Sequence, residues 1–386
     1  MVCGKLTFVL ALLPHTRGDN LWPPSSLHTF SSDWDVLSDD FAAHSAWGGK
    51  TVAKSASDPE DMLLVFLPGT FTVPAQFSIL LEWASSLGFD IIGLDYGWGP
   101  APDSKVSAQC ASTDSCQECM DNYHEVVLTG NGSNLENGNW PVFGEEQAST
   151  LAPTYWLSYG VQFIPTTQVP EVNSSAPLPE PAQEYILSMH KFSITTLLIR
   201  VLQKLGWSKY LTTGAQVKWD KVFLAGHSQG AGHAGYTAFR HPEILGALML
   251  SGPQDTCGEK GAARLPAEHS HLYRCYAEDE PGRPAIEKTS SSLFNLTATI
   301  HSENSQKYRG QGIWCPPPAH CATAVDDQLV AEAVDVCFGM MRKVIPSGAT
   351  TRPSTTPEPV TVAGGAAVFS LIIAKVVGAI QAVRLQ

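Results

Sequence analysis

Gly226-His227-Ser228-Gln229-Gly230 is the stretch whose residue types and spacing best suit chemistry. A glycine two residues before the serine and another two after it present no Cβ, so the chain can bend sharply and neighbouring backbone can come close. Such a bend holds the serine hydroxyl out at the start of a helix, where backbone N–H groups face a developing oxyanion. The chemistry is nucleophilic attack on a carbonyl. It needs a base to take the serine proton and an acid to orient that base. The flanks supply the required context. Lys221-Val-Phe-Leu-Ala225 reads as a buried strand, and Gln229 to Phe239 reads as a helix whose first turn is kept small by Ala231, Gly232 and Ala234.

The elements that must position this turn follow from apolar runs and breakers. Met62 to Leu67 is a short continuous apolar run stopped by Pro68-Gly69, which predicts a buried strand. Apolar residues at helical spacing (Phe77, Leu80, Leu81, Ala84, Leu87) predict a helix from Pro74 to Leu87, with Gly88 as its stop. Phe89 to Leu94 predicts a second buried strand, so the three segments imply a parallel pair with a right-handed crossover. Residues 100–181 are cut by turn residues throughout and read as an insertion, a stapled lid or cap. Beyond it, helix is expected over 182–205 and 326–343, and strand over 247–251 and 272–276. Alternation of this kind is an α/β fold, a mostly parallel sheet with helices on both faces.

Four features in this order resemble the α/β-hydrolase superfamily: Leu67-Pro-Gly-Thr70, Leu94-Asp-Tyr96, Ala225-Gly-His-Ser-Gln-Gly-Ala-Gly-His-Ala234, and a late acid and histidine. The extended elbow and the Leu-Pro-Gly-Thr turn are similar to a secreted, serine-hydrolase-like branch of it. The resemblance spans roughly 62–343 and implies the chain order nucleophile, acid, histidine. Ser228 is then the nucleophile. The family's histidine lies between the last strand and the last helix, which His320 in Pro318-Ala-His-Cys-Ala322 fits best, with His301 in reserve. His233, His241, His269 and His271 read as surface or satisfied core residues. The acid is expected at Asp279, after the 272–276 strand, or at Asp255, after the preceding one; Glu278 and Glu280 read as the solvated flanks of an acidic turn. The oxyanion hole is expected to use the backbone N–H of Gln229 and that of Thr70, or of Phe71 beside it. Pro68 stands where many members carry histidine, and only backbone donors are needed there. Asp95 reads as a structural turn carboxylate.

Composition limits the rest. The chain has 386 residues, with 24 Lys and Arg against 37 Asp and Glu, a net charge of −13 that excludes a role resting on phosphate neutralisation and so argues against nucleic acid. Of nine cysteines, Cys3 falls in a candidate signal segment and eight remain. With Asn131-Gly-Ser133, Asn173-Ser-Ser175 and Asn295-Leu-Thr297 as glycosylation acceptors, they favour the secretory route and disulfides. Cys110, Cys116 and Cys119 include a C-x-x-C with no second pair nearby, so disulfides are expected rather than zinc, and no metal site is assigned. Cys315 and Cys321 bracket His320, and Cys257 and Cys275 are further candidates for pairing.

Residues 1–18 read as a signal peptide, 19–346 as the hydrolase domain, 347–359 as a Thr/Pro-rich linker and 360–386 as a hydrophobic tail. Small triplet, polar spacer and apolar tail follow the order of a GPI-anchor signal, with a transmembrane helix the rival and Lys375 weighing against both. The expectation is a secreted or surface-attached serine hydrolase acting on a small-molecule or lipid-like carboxylic ester, without a cofactor. A non-catalytic binding or adhesion module on the same fold, and a hydrolase of peptide or amide bonds, are the rivals. Trp140, Tyr155, Trp156 and Tyr159 suit either an apolar acyl site or the core of the insertion.

Overall fold

The apolar runs around residues 62–67, 89–93, 222–227, 246–250 and 272–277 become strands, and with three further strands they form one eight-stranded sheet in the order β1-β2-β4-β3-β5-β6-β7-β8. The strands are β1 (Asp35–Val36), β2 (Val52–Lys54), β3 (Met62–Leu67), β4 (Phe89–Gly93), β5 (Val222–His227), β6 (Gly246–Leu250), β7 (Leu272–Ala277) and β8 (Leu296–Ile300). This computed structural model describes residues 30, 32–44, 49–57, 61–69, 72–97, 110, 115–131, 190–254, 265, 271–277, 280, 282–288, 296–300 and 320. All of them lie in the compact unit Met1–Ser347; the second unit, Gly348–Gln386, is outside them. So are the expected signal segment, the linker, the hydrophobic tail, most of the insertion and the helix expected over 326–343. Among the described residues no helix is long and apolar enough to cross a membrane.

From β4 to β8 every neighbouring pair is parallel. β1 and β2 add an antiparallel edge. The continuous apolar runs follow from burial on both faces, because alternate residues of one strand enter different cores. Leu63, Val65 and Leu67 of β3 join Leu224 and Met249 in one core, while Leu64 and Phe66 join Phe223, Ala225 and Leu248 in the other. The first core is covered by α2 (Cys116–Thr129), α3 (Ile194–Leu205) and α4 (Gln229–Arg240), the second by α1 (Ser78–Ser86). A short α5 (Arg283–Lys288) follows β7. This is the expected α/β fold, a mostly parallel sheet with helices on both faces.

The differences from expectation are local. The helix expected over 74–87 begins with a 3₁₀ turn, Pro74–Phe77, before α1. The helix expected over 182–205 breaks at Ser193, whose backbone is extended (φ −61°, ψ 150°), before α3 begins. α2 is a regular 14-residue helix inside a stretch whose turn residues argued against one. It ends at Gly130, where a left-handed backbone (φ 75°) suits a residue without a side chain. Cys119 of α2 is bonded to Cys110, and Cys116 and Cys275 are also in disulfides.

Candidate active site

The turn after β5 has the geometry that the glycines predict. Ser228 sits at φ 55° and ψ −119°, a region that side chains rarely occupy and that costs about 1–3 kcal/mol unless its surroundings impose it. Those surroundings are tight. A Cβ on Gly226 would stand 2.1 Å from the carbonyl oxygen of Gly230, and one on Gly230 would stand 2.0 Å from the carbonyl oxygen of Leu67. The bend therefore requires hydrogen at both positions. Gly230→Ala should destabilise the fold by about 3 kcal/mol or more, since backbone rather than a flexible side chain must move. Urea midpoints of the two proteins measure this, and an unchanged midpoint would contradict the packing argument.

Ser228 is half-buried and caps α4, so Gln229 supplies the first N–H of the helix. The loop after β3 meets the serine from the other side. A Cβ on Gly69 would stand 2.9 Å from the Cβ of Ser228, so this loop touches the nucleophile and Gly69 leaves room for it. Both carbonyls of the loop are tied down. The Tyr96 hydroxyl donates to the Pro68 carbonyl at 2.9 Å, and the Thr72 hydroxyl donates to that of Gly69 at 2.7 Å. Thr70 and Phe71, the expected second oxyanion donors, lie outside the described residues. Asp95 is buried and structural. Its carboxylate accepts the backbone N–H of His44 at 3.1 Å and pairs with Nδ1 of the same residue at 2.6 Å.

His320 is anchored at the C-terminal ends of the strands that flank the elbow. Its carbonyl accepts two hydrogen bonds, from the Ser251 hydroxyl at 2.8 Å and from His227 Nε2 at 2.8 Å. Its Nδ1 lies 3.0 and 3.1 Å from the two carboxylate oxygens of Glu280. A carboxylate only accepts, so Nδ1 carries a proton, and in the neutral ring that leaves Nε2 bare, the tautomer of a general base. Gln254 Nε2 also approaches Nδ1, at 3.4 Å. Two donors do not bond each other, and Gln254 donates instead to the Ser251 carbonyl at 3.1 Å. Glu280 is fixed in turn by the backbone N–H of Gly282 at 2.9 Å.

Glu280 is a residue that sequence reasoning placed wrongly. It is not a solvated flank: it is 3% exposed and holds the histidine. Asp279 and Asp255, the acids that the family order favoured, lie outside the described residues, as do Glu278 and the reserve base His301. The other described histidines after the elbow are occupied elsewhere. His241 stacks on Trp219 with ring centroids 4.5 Å apart, and His271 meets the Tyr273 hydroxyl at 3.3 Å. His233 of α4 is buried, with its Nδ1 2.8 Å from Nδ1 of His124 on α2. Burial and the His124 imidazole hold His233 well below the usual histidine range. A second link joins these helices, from Gln229 Nε2 to the Tyr123 hydroxyl. The side chain of the expected oxyanion residue is thus held by α2. Among the described residues no group of three or more His, Cys, Asp or Glu is arranged to hold a metal ion.

No protein-family model and no curated protein matches the chain. Solved structures overlap it loosely. A carboxylesterase from Mesorhizobium loti is 13% identical, with a TM-score of 0.29 over 74% of this chain and 95% of its own. An S-formylglutathione hydrolase from Agrobacterium tumefaciens is 10% identical, with a TM-score of 0.32 over 70% and 86%. An α-β serine hydrolase homologue from Coxiella burnetii is 8% identical, with a TM-score of 0.29 over 71% and 89%. Overlaps at this level carry no argument, and the functional reading rests on the geometry of the site.

Proposed function

We propose that this protein is a serine hydrolase that cleaves carboxylic esters through Ser228, His320 and Glu280. The observation that carries the reading is the buried Glu280 carboxylate against Nδ1 of a histidine whose backbone is bonded to the residue before Ser228. In the proposed reaction Ser228 Oγ attacks the ester carbonyl carbon while His320 Nε2 takes its proton. The tetrahedral oxyanion faces the N–H of Gln229 and a second N–H from the Thr70 loop. His320 returns the proton to the leaving alkoxide as the C–O bond breaks, leaving an acyl-serine and a free alcohol. Water, deprotonated by His320, then attacks the acyl carbon, and His320 returns the proton to Ser228 Oγ as the acyl–oxygen bond breaks and the acid leaves. Glu280 holds the imidazole in the Nε2-bare tautomer and stabilises the imidazolium in both steps. The acid of the triad is thus assigned to Glu280 rather than to Asp279.

The route and location follow as part of the same proposal. The Cys110–Cys119 disulfide supports an oxidising compartment, and with it a secreted or surface-attached hydrolase held by its C-terminal tail. The substrate is an ester, small or lipid-like, and the acidic chain is not a nucleic-acid partner.

A fluorophosphonate probe tests the reading. The purified protein should label, and Ser228→Ala and His320→Ala should each abolish labelling while keeping the wild-type circular dichroism. Labelled protein should fail to hydrolyse p-nitrophenyl acetate. A folded wild type that does not label would favour the binding-module alternative, and labelling lost only with Ser228→Ala would move the base to another histidine.

A further inference from the structure

The residue before the nucleophile is an imidazole in a place where a strand needs only an apolar side chain. His227 is the last residue of β5 and is 1% exposed. Its ring lies between Phe77, with centroids 5.5 Å apart, and His320, with centroids 5.0 Å apart. Nε2 is 2.8 Å from the His320 carbonyl oxygen. A carbonyl only accepts, so Nε2 carries a proton. Nδ1 is buried and has no hydrogen-bond partner among the described residues, and it lies 3.1 Å from where a Cβ on Gly69 would be. Desolvation, with the neighbouring His320, pushes the pKa of His227 down to about 3, so the ring is neutral and Nδ1 is bare. A buried bare nitrogen is unfavourable, and leucine or phenylalanine would fill the space without it. What the imidazole supplies is its single N–H.

That N–H completes the hold on His320. The carbonyl has two lone pairs, and His227 and Ser251 occupy both. Ser251 directly follows β6 with a left-handed backbone, φ 50°, and the N–H of Ser228 donates to the carbonyl of Leu250, the last residue of that strand. Glu280 fixes the ring of His320 and the two donors fix its peptide. We propose, building on the serine-hydrolase reading, that His227 is a positioning residue that ties the general base to the strand carrying the nucleophile. The separation of base and serine is thereby set by the backbone of β5. Neutrality matters as well as geometry. His320 becomes an imidazolium in the transition state, and a second cation a ring's width away would oppose that charge.

The test compares His227→Leu with His227→Gln, since glutamine restores a side-chain N–H on a stem of similar reach. In the leucine variant kcat for p-nitrophenyl acetate should fall on the order of 10²-fold, the scale of a base displaced by about 1 Å, with KM little changed. Glutamine should recover most of that loss. Melting temperatures of both variants separate misfolding from misplacement. The downfield proton resonance of His320 Nδ1–H reads the order of the base without turnover: it should broaden or vanish with leucine and persist with glutamine. A leucine variant with wild-type kcat and a sharp resonance would overturn the proposal, as would equal losses in both variants. A wild type that shows the resonance but neither labels nor turns over would overturn the hydrolase reading instead. The effect of leucine on that resonance would still decide the role of His227.

Discussion

Glu280→Gln is expected to lower kcat for an activated ester by about four orders of magnitude, the scale seen when the carboxylate of a triad is replaced by its amide. Glutamine has nearly the same volume, and its Oε1 still accepts the Gly282 N–H that bonds Glu280 at 2.9 Å. The backbone of the turn should therefore survive, and the loss is electrostatic. An amide does not hold the Nδ1–H tautomer uniquely, because its NH₂ face favours a bare Nδ1 and so protonates the nitrogen that must act as base. Nor does it stabilise the imidazolium that forms as Ser228 attacks. Burial enlarges the effect: the Glu280 side chain is 1% exposed, and a charge in a low-dielectric pocket acts far more strongly than one in water. Asp279→Asn is the matched comparison and should stay within about twofold of wild type, since Glu280 rather than Asp279 orients the base in this reading. Rates of p-nitrophenyl ester hydrolysis for both variants decide the matter. A collapse with Asp279→Asn and little change with Glu280→Gln would return the acid to the position favoured by family order.

The contrast between these neighbouring carboxylates shows what a sequence can and cannot carry. The elbow was legible because its requirement is steric and local. Gly226 and Gly230 leave a pattern, and the apolar run of β5 ahead of them leaves another. His320 was singled out by the chain order of the resemblance and its place before an expected helix, and the structure sets its Nδ1 against Glu280. The choice among Glu278, Asp279 and Glu280 depends on how the turn after β7 rotates, and rotating a turn by one residue sends the next carboxylate to the opposite side. Nothing in three consecutive acids encodes that rotation. The one local hint is Glu280-Pro-Gly282, in which the carboxylate closes back on the glycine N–H.

α2 was missed for another reason. Met120, Tyr123, Val126 and Val127 carry helical spacing and are all buried, but Asp121, Asn122 and the glycines beyond Thr129 masked it. The edge strands β1 and β2 and the last strand β8 are short, and little in their sequences separates them from loop. The contacts that α2 makes with α4, His124 to His233 and Tyr123 to Gln229, join residues 109 and 106 positions apart. Only the fold brings such residues together.

Those buried imidazoles also predict how the protein responds to acid. His227 and His233 are each 1% exposed, and burial depresses both pKa values, that of His227 to about 3. An unfolded histidine titrates near 6.5, so between there and the folded values the unfolded chain binds more protons than the native one. Stability contributed by the neutral rings is complete above the unfolded value. It falls as the pH drops below it, at about 1.4 kcal/mol per unit for each histidine. Lowering the pH from 7.5 to 5 should thus remove about 4 kcal/mol from the two together. The carboxylates held below their usual range by hydrogen bonds to cations, Asp61 through Lys209 and Glu287 through Arg283, begin to matter only in stronger acid. His233 adds a geometric reason for the loss. Its Nδ1 and that of His124 are 2.8 Å apart and share one proton, so a second proton sets two N–H groups against each other in the seam between α2 and α4. Urea midpoints at pH 7.5 and pH 5 measure the whole effect, and His233→Gln should flatten about half of the pH dependence. A wild type equally stable at both values would show that these imidazoles are protonated in the folded protein. It would also contradict the neutrality of His227 at that pH, although an imidazolium would still donate its Nε2–H to the His320 carbonyl.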